Sequence, residues 1–208
     1  MIKVYSRRQL MMEMGKPYDA EIEYLESDGN AYIDTDIIPS STLLCEISFA
    51  INSEFSFGNT AFLFGAYIQN DSHPQTSYSV AVQSASRIRV PSGISFTNVT
   101  CATFGTNKHI ISYRFGEIKY DDVTKSTVSG VVENTDYSIR LFGRFHNLDG
   151  SSVTGNFKLY GFTMTNNLDV VRDFIPVRVG NVGYMYDRVS KQIFGNAGTG
   201  DFILGPDK

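Results

Sequence analysis

The histidines, serines and glycines of this chain are not spaced as catalytic or metal-binding residues usually are. The three histidines, His73, His109 and His146, are dispersed, and none belongs to a His-x-x-x-His pair or has a neighbouring cysteine, so zinc binding has no support. No Gly-x-Ser-x-Gly segment occurs that would expose a nucleophilic serine. No glycine-rich loop opens a helix, as a nucleotide phosphate site would require. We therefore predict a protein that is not an enzyme.

Two polar loops carry the side chains that carbohydrate binding uses. Aromatic rings stack on sugar rings, and amide and carboxylate groups bind sugar hydroxyls, most often on loops above a rigid sheet. The chain has no tryptophan, and most of its 27 aromatic residues must pack in the core. The candidate carbohydrate-binding residues are Tyr67, Asn70, Asp71, His73 and Tyr78 around the first loop, and His146, Asn147 and Asp149 in the second.

The two cysteines, Cys45 and Cys101, lie far apart in the sequence and lack the spacing of metal ligands. Without an export signal, two reduced thiols are expected, and a disulfide has no support. Cys45 alternates with Ile47 and Phe49 along one predicted strand. This pattern favours a packing role in the core over reactivity.

Composition excludes several classes of partner. Charged residues make up 19% of the chain, and 18 basic against 22 acidic side chains leave a net charge of −4, so a cationic surface for nucleic acid is not expected. The N-terminal segment has no apolar stretch of the length that a secretory signal needs. No later segment approaches the roughly 20 apolar residues of a membrane helix. We predict a soluble protein that neither binds nucleic acid nor inserts into a membrane.

Strands must position any functional side chain, because strand-forming residues dominate the composition. Val, Ile, Thr, Phe and Tyr account for 75 of the 208 residues, or 36%, and these types favour strands over helices. From Glu21 onward, short apolar or alternating segments follow one another with turn residues between them, which favours an all-β sandwich over a parallel α/β sheet. Long polar loops are predicted at Asn70–Ser77, Asp122–Thr127 and His146–Thr154.

One short helix is predicted near the N-terminus. Ser6 and Gln9 have the spacing of a capping box, and the helical pattern ends before Gly15. The sequence thus divides into an N-terminal arm, residues 1–20, and one domain, residues 21–208. The helix either closes one end of a sheet or docks on a partner through flexible apolar side chains. The candidate docking residues are Leu10, Met11 and Met14.

Several segments of the domain carry a resemblance to a known family. They are Glu23–Thr35, Phe64–Ala66, Val171–Pro176, Gly183–Asp187, Lys191–Phe194 and Asn196–Phe202. The chain resembles concanavalin A-like, laminin-G-like jelly-roll domains, of the kind found in phage structural proteins and gut-bacterial surface proteins. The resemblance covers nearly the whole chain from residue 21 and implies a jelly-roll β-sandwich. Because this fold hosts lectins, adhesion modules, glycosidases and virion components, it restricts function only weakly.

The same segments predict how the chain ends meet. A first hairpin would join Ile22–Glu26 to Ala31–Ile37 through the turn Ser27–Asn30. A second turn would lie at residues 186–191. The glycine-rich segment Gly195–Gly200 would let the chain double back, so that the last strand, Asp201–Leu204, pairs near the first, as it does in jelly rolls.

The resemblance also raises the question of glycosidase activity. Laminarinase-type relatives carry Glu-x-Asp-x-x-Glu on one strand, because their two catalytic carboxyl groups must face one cleft. The nearest match here is Glu26-Ser27-Asp28, where Ala31 stands in place of the second glutamate. This departure argues against hydrolysis, which rests on fold analogy alone.

Calcium is a further implication of the resemblance, since laminin-G-like relatives bind this ion through loop oxygens. Asp121 and Asp122 are candidate ligands after a predicted strand, although no alignable motif supports them. Asp34 and Asp36 share one strand face as well, but we interpret them as solvated edge residues. No other cofactor is predicted.

Together these patterns predict a non-enzymatic structural or adhesion module. Our main hypothesis is a phage virion component, in a capsid decoration or a tail, that acts through contacts with other virion or surface proteins and also binds cell-surface glycan. A virion protein is released by lysis and needs no export signal. The alternative is a lectin-like carbohydrate-binding module on a bacterial cell surface.

Overall fold

The computed structural model describes residues 15–51, 60–68, 76–92, 95–127, 136–146 and 156–208. These residues form 18 strands and no helix, so this part of the chain contains no helix that could cross a membrane. The strands are β1 (Ala20–Glu21), β2 (Leu25–Ser27), β3 (Ile33–Asp34), β4 (Leu43–Ile51), β5 (Ala61–Ile68), β6 (Thr76–Ser84), β7 (Arg87–Ser92), β8 (Ser95–Thr100), β9 (His109–Arg114), β10 (Glu117–Tyr120), β11 (Val123–Thr127), β12 (Arg140–Leu141), β13 (Phe145–His146), β14 (Phe157–Asn166), β15 (Asp169–Val179), β16 (Val182–Asp187), β17 (Ile193–Phe194) and β18 (Phe202–Leu204).

Within the described residues the strands form two sheets. The larger sheet has 11 strands, with β11-β10-β9-β4-β14-β15-β16-β17 as its main path. Strand β1 pairs with β15, and β2 pairs with both β14 and β18. The smaller sheet has seven strands in the order β3-β12-β5-β6-β7-β8, with β13 also paired to β5. The β13–β5 pair is parallel, whereas the other pairs are antiparallel.

The two sheets bury one apolar layer between them. On β4, Cys45, Ile47 and Phe49 are buried, while Glu46 points outward, because successive side chains of a strand face opposite sides. The predicted core position of Cys45 is confirmed, and burial raises the pKa of its thiol. Cys101 is also a free, buried cysteine.

Tyr78 joins the two sheets through the middle of this layer. It lies on β6 of the smaller sheet and is completely buried. Its hydroxyl lies 2.9 Å from the carbonyl oxygen of Leu43 and 3.0 Å from that of Tyr113, both in the larger sheet. Burial raises the pKa of Tyr78 well above its ordinary value. The phenol therefore remains a hydrogen-bond donor, as a buried hydroxyl requires.

The predicted pairing of the last strand near the first is confirmed, since β18 lies against β2. Asp28 strengthens this junction. Its carboxylate accepts hydrogen bonds from the backbone N–H groups of Asn30, at 2.8 Å, and Ala31, at 3.1 Å. It also accepts one from Asp201, at 3.0 Å. Burial raises the pKa of Asp28, but these N–H donors outweigh that effect and hold the pKa below its ordinary value of 3.8.

Asn196 completes the junction from the C-terminal side. Its Oδ1 accepts hydrogen bonds from the backbone of Tyr32, at 3.2 Å, and of Gly198, at 2.8 Å. Gly198 lies so close to the carbonyl oxygen of Asn30 that a Cβ atom there would overlap it. We call residues 27–32 and 196–201 together the terminal clasp.

The predicted turn at residues 186–191 is confirmed and depends on Asp187, whose side chain is fully buried. Its carboxylate accepts N–H hydrogen bonds from Asp173 at 2.8 Å and from Val189 and Ser190 at 3.1 Å. Arg172 lies 3.7 Å away. Burial raises the pKa of Asp187, but the hydrogen bonds from Ser190 and the backbone lower it more, so the pKa lies below its ordinary value of 3.8.

The N-terminal end of the described chain packs on the outside of the larger sheet. Strand β1 pairs with β15. Tyr18 is buried in a small outer cluster with Val177 and Tyr186, and its ring contacts that of Tyr186 with centroids 4.9 Å apart. Residues 18–21 thus pack against the sandwich.

The predicted all-β sandwich is confirmed, but three details are wrong. Strands β2 and β3 do not form a hairpin, because the turn Ser27–Asn30 carries the chain from the larger sheet to the smaller one. The segment predicted as the loop Asp122–Thr127 contains edge strand β11. Strand β8 was not predicted, since its serine and threonine residues lack an apolar alternation. The predicted helix lies outside the described residues.

Replacing Gly198 by alanine tests the terminal clasp. A Cβ atom at this position would overlap the Asn30 carbonyl oxygen, so we expect the free energy of unfolding to fall by about 1–3 kcal/mol. Gly105→Ala is the matched control, because the space around Gly105 is open. Urea unfolding measures the free energy of unfolding of both variants. Equal stabilities of the two variants would contradict the close approach.

The low pKa values of Asp28 and Asp187 predict a loss of stability in acid. Each carboxylate binds its proton less readily in the folded chain than in the unfolded chain. Its stabilising effect is therefore present above the unfolded pKa and is lost as the pH falls through the folded one. We expect the unfolding free energy to decline between about pH 5 and pH 2, and to decline less in Asp28→Asn. An identical decline in that variant would rule out a contribution from Asp28.

Candidate functional site

A cleft of about 760 Å³ lies at one end of the larger sheet. Because β9 and β14 both run antiparallel to β4, their C-terminal turns lie beside the start of β4. The cleft forms where these three pieces of chain meet. The described residues that line it are Ser41, Thr42, Leu44, Arg114, Phe115, Gly116, Glu117, Thr165, Asn167 and Leu168.

Backbone conformation determines the shape of the two turns. Gly116 has a φ of 85°, and Asn167 and Leu168 have φ values of 50° and 85°. Two consecutive positive φ angles between paired residues make the tight turn that matches strand twist, but the second position is one that glycine normally occupies. Leu168 is 95% exposed there. The hairpin tip therefore combines backbone strain with an exposed apolar side chain.

Hydroxyl and amide groups tie the start of β4 to the end of β14. Thr42 donates a hydrogen bond to Asn166 Oδ1 at 2.5 Å, and Ser40 donates to the same oxygen at 3.3 Å. These bonds hold the β4 side of the cleft against the β14–β15 hairpin. The cleft is therefore built by contacts between segments more than 120 residues apart in the sequence.

The cleft combines apolar and charged groups. Phe115 is half-buried. It packs against the core and also lines the cleft. Arg114 lies 3.5 Å from Glu117, and Lys119 lies 3.4 Å from the same carboxylate. An apolar floor with a few placed hydrogen-bonding groups is the usual character of a small-ligand site.

A smaller groove of about 220 Å³ shares Leu44, Arg114 and Glu117 with the cleft. It extends along the outer faces of β4, β9 and β10. Ser112 donates a hydrogen bond to Glu46 at 2.9 Å in its floor. The other described residues that line it are Lys119 and Asp122. The cleft and the groove together give a polar strip along the outside of the larger sheet.

The structure places two of the predicted carbohydrate-binding residues in packed positions. Tyr78 is a core residue with no exposed surface, so its predicted role in sugar binding is wrong. Tyr67 is 5% exposed, and the guanidinium of Arg144 lies 4.0 Å from its ring centroid. Alternation on β6 directs Tyr78 inward, whereas its place beside a polar loop suggested exposure.

His146 ends strand β13 and is the register partner of Tyr67 on β5. Because these two strands are parallel, their C-terminal ends lie at the same end of the smaller sheet. The structure thus brings together the points at which the two predicted binding loops begin. The other predicted residues lie outside the described part: Asn70, Asp71, His73, Asn147 and Asp149 for carbohydrate, and Leu10, Met11 and Met14 for docking.

The predicted calcium ligands, Asp121 and Asp122, lie in the turn between β10 and β11, with φ values of 46° and 62°. The Asp121 carboxylate accepts a hydrogen bond from the Ile110 backbone N–H at 2.9 Å and lies 2.9 Å from Nδ1 of His109. Across the described ranges, no group of three acidic, histidine or cysteine side chains could hold a metal. Asp121 instead connects this turn to β9.

The sequence marks each of the two turns that line the cleft, but nothing in it indicates that these turns lie close together. Glycine is a local turn signal, and Gly116 lies in the β9–β10 turn. Nothing local to Phe115 indicates that Leu168 lies across the same opening. The pairing of both strands with β4 creates the site, and that pairing can be read only from the sheet order.

Replacing Leu168 by glycine should stabilise the protein. Glycine adopts a φ of 85° without the steric cost that leucine pays, so we expect an increase of roughly 0.5–1 kcal/mol in unfolding free energy. Leu168→Ala keeps the steric cost and removes most of the exposed side chain, and it should show no such gain. Thermal or urea unfolding compares the two. Equal effects would exclude backbone strain at this position.

No protein family model matches the sequence, and no curated protein is similar to it. The crystal structure of a putative carbohydrate-binding protein from Bacteroides ovatus ATCC 8483 has a similar fold, with a TM-score of 0.59 and 9% sequence identity. The similarity covers 90% of this chain and 61% of that one. The chain thus spans about three-fifths of the Bacteroides protein. At this identity the similarity establishes a shared β-sandwich fold.

Proposed function

We propose that this chain is a non-enzymatic carbohydrate-binding domain of the jelly-roll class, and that it binds a sugar residue in the cleft at the end of the larger sheet. The observation that carries the proposal is the composition of this cleft, where Phe115 and Leu168 lie beside hydroxyl, amide and charged groups. A sugar has an apolar ring face and a rim of hydroxyl groups. The cleft offers a partner to each.

The apolar partners come from two turns. Phe115 provides the aromatic surface on which a sugar ring would stack. Leu168 stands almost wholly in solvent on the opposite turn, where an apolar side chain gains free energy only when a ligand or partner covers it. A ligand between these turns would bury both residues. The strain at Leu168 is thus consistent with a residue retained for contact rather than for stability.

The polar partners surround this apolar surface. Arg114 and Glu117 pair at 3.5 Å and present donors and acceptors together, which suits the vicinal hydroxyls of a sugar. Thr165 and Asn167 lie on the other side. The cleft volume of about 760 Å³ is within the range of small-ligand sites.

The neighbours of two carboxylates, those of Glu117 and Asp28, favour binding without hydrolysis. Glu117 lies within 3.5 Å of two cationic side chains, Arg114 and Lys119. Asp28, in the segment nearest to a glycosidase motif, accepts three backbone hydrogen bonds within the terminal clasp. Neither arrangement supplies a free acid and a free base facing one bond.

The fold shared with a putative carbohydrate-binding protein supports the lectin-like alternative over the virion hypothesis. A role in a phage particle, and the location of the protein on a virion or a cell surface, stay predictions from the sequence resemblance. The role in a particle can be tested by substituting Leu10, Met11 and Met14 and measuring whether the protein is still incorporated into phage particles.

A neutral glycan array followed by calorimetry tests the proposal. Phe115→Leu removes the ring but keeps an apolar side chain, so affinity for a bound glycan should fall about three- to tenfold. Phe194→Leu is the matched control, since Phe194 is likewise half-buried against the core but lies on β17. Thr165→Val, which removes one hydroxyl, should weaken binding several-fold.

Two results would overturn the proposal. If no neutral glycan binds, the cleft is not a sugar site. If Phe115→Leu and Phe194→Leu bind equally well, any sugar that does bind lies elsewhere. Release of reducing ends from a bound glycan, abolished in Glu117→Gln, would contradict the non-enzymatic part alone.

A further inference from the structure

We infer that the ligand of the cleft is a neutral, linear oligosaccharide, of which one sugar unit lies in the cleft and the next lies in the adjoining groove. This inference rests on the proposed function, since it adds a second subsite to the same binding site. The groove of about 220 Å³ lies beside the cleft on the larger sheet. The sugar chain would thus run from the cleft onto the outer face of that sheet.

Strand pairing arranges the residues that line the two openings in adjacent rows. The first row lines the cleft and consists of register partners on β14, β4, β9 and β10: Thr165, Leu44, Arg114 and Glu117. The second row lines the groove and crosses β4, β9 and β10: Glu46, Ser112 and Lys119. Two residues along a strand span roughly 6–7 Å, which is close to the width of a pyranose ring. Adjacent sugar units can therefore contact adjacent rows.

Both rows point away from the apolar layer and are open to solvent. On β9, Ile111 and Tyr113 are buried. Ser112 and Arg114 alternate with them and must face outward. The side chains of Arg114 and Lys119 keep 59% and 41% of their surface exposed. Their polar groups are therefore accessible to a ligand.

Three residues line both openings and make the groove an extension of the cleft. They are Leu44, Arg114 and Glu117. The ion pair of Arg114 with Glu117, at 3.5 Å, thus lies where the linkage between the two sugar units would pass. The groove alone is smaller than the roughly 300–1,000 Å³ of typical small-ligand sites. We therefore expect it to bind a sugar unit only when the cleft holds the unit before it.

Ser112, Glu46 and Lys119 give the groove both acceptors and donors. The Ser112 hydroxyl donates a hydrogen bond to Glu46 at 2.9 Å, which orients the carboxylate. A carboxylate has about four acceptor positions, and among the described residues Ser112 is the only hydrogen-bond donor to Glu46. The Lys119 ammonium has three N–H donors. A sugar hydroxyl, which both donates and accepts, can bind to either group.

The charges of the groove favour a neutral sugar chain. Its described lining residues include the acidic Glu46, Glu117 and Asp122 but only two cations, Arg114 and Lys119. Both cations lie within 3.5 Å of Glu117. A chain of uronic acids or sulfated sugars would bring further negative charge beside the remaining carboxylates, and this repulsion would weaken its binding.

Pairs of neutral mono- and disaccharides test the inference by calorimetry. The probes are glucose, galactose and mannose, and the disaccharides maltose, cellobiose, laminaribiose, galactobiose and mannobiose. No aromatic ring lines the groove in the described part of the chain, so hydrogen bonds must hold the second unit. We therefore expect a disaccharide to bind about three- to tenfold more tightly than its monosaccharide. Digalacturonate should bind more weakly than the best neutral disaccharide.

Variants assign this gain to the groove. Ser112→Ala should lower the ratio of disaccharide to monosaccharide affinity about threefold. Thr165→Val, in the cleft, should weaken both sugars alike and keep the ratio. Ser138→Ala is the matched control, because the Ser138 hydroxyl also donates to a carboxylate, that of Asp34, but lies just before β12 of the smaller sheet.

Circular dichroism checks folding, and Glu46→Gln, which should also lower the ratio, gives the result if Ser112→Ala does not fold. Equal affinities for monosaccharide and disaccharide in the unaltered chain would overturn the inference and leave the cleft as a site for one sugar. An unchanged ratio in both Ser112→Ala and Glu46→Gln would overturn it as well, and so would digalacturonate binding as tight as that of the best neutral disaccharide. If none of these sugars binds, the inference is overturned, and the neutral glycan array decides separately whether the proposed function fails too.

Discussion

The burial of one apolar layer between two sheets is the constraint on which the rest of this structure depends. Tyr78 shows how strict it is, because even its single polar atom lies at hydrogen-bond distance from backbone carbonyls of the opposite sheet. Each strand must give alternate positions to this layer. The side chains that remain for recognition are those on the two outer faces and at the strand ends. The cleft lies at such strand ends, in the larger sheet.

Much of the fold could be predicted from the sequence, because it depends on local patterns. The alternation through Cys45, Ile47 and Phe49 predicted a strand with one buried face, and turn residues marked most strand ends. The pairing of the last strand near the first was also predicted correctly. The hairpin between β2 and β3 was not, because a turn has the same local signal whether the chain returns within one sheet or crosses to the other.

The candidate cleft was harder to predict, because it depends on partners distant in sequence. Phe115 and Leu168 come together only because β9 and β14 both pair with β4. Loop polarity pointed to Tyr67 and Tyr78 as binding residues, but the first is nearly buried and the second is in the core. A residue beside a polar loop can still belong to the inner face of its strand. The face to which its side chain points decides its exposure more strongly than its distance from the loop does.

The terminal clasp has a consequence for how the chain folds during synthesis. The contact between Asp28 and Asp201 spans 173 positions, and β2 has β18 as one of its two neighbours in the larger sheet. A nascent chain therefore carries an incomplete sheet edge until its last strand has left the ribosome. Contacts of such long range slow folding and leave unpaired strand edges exposed in the meantime.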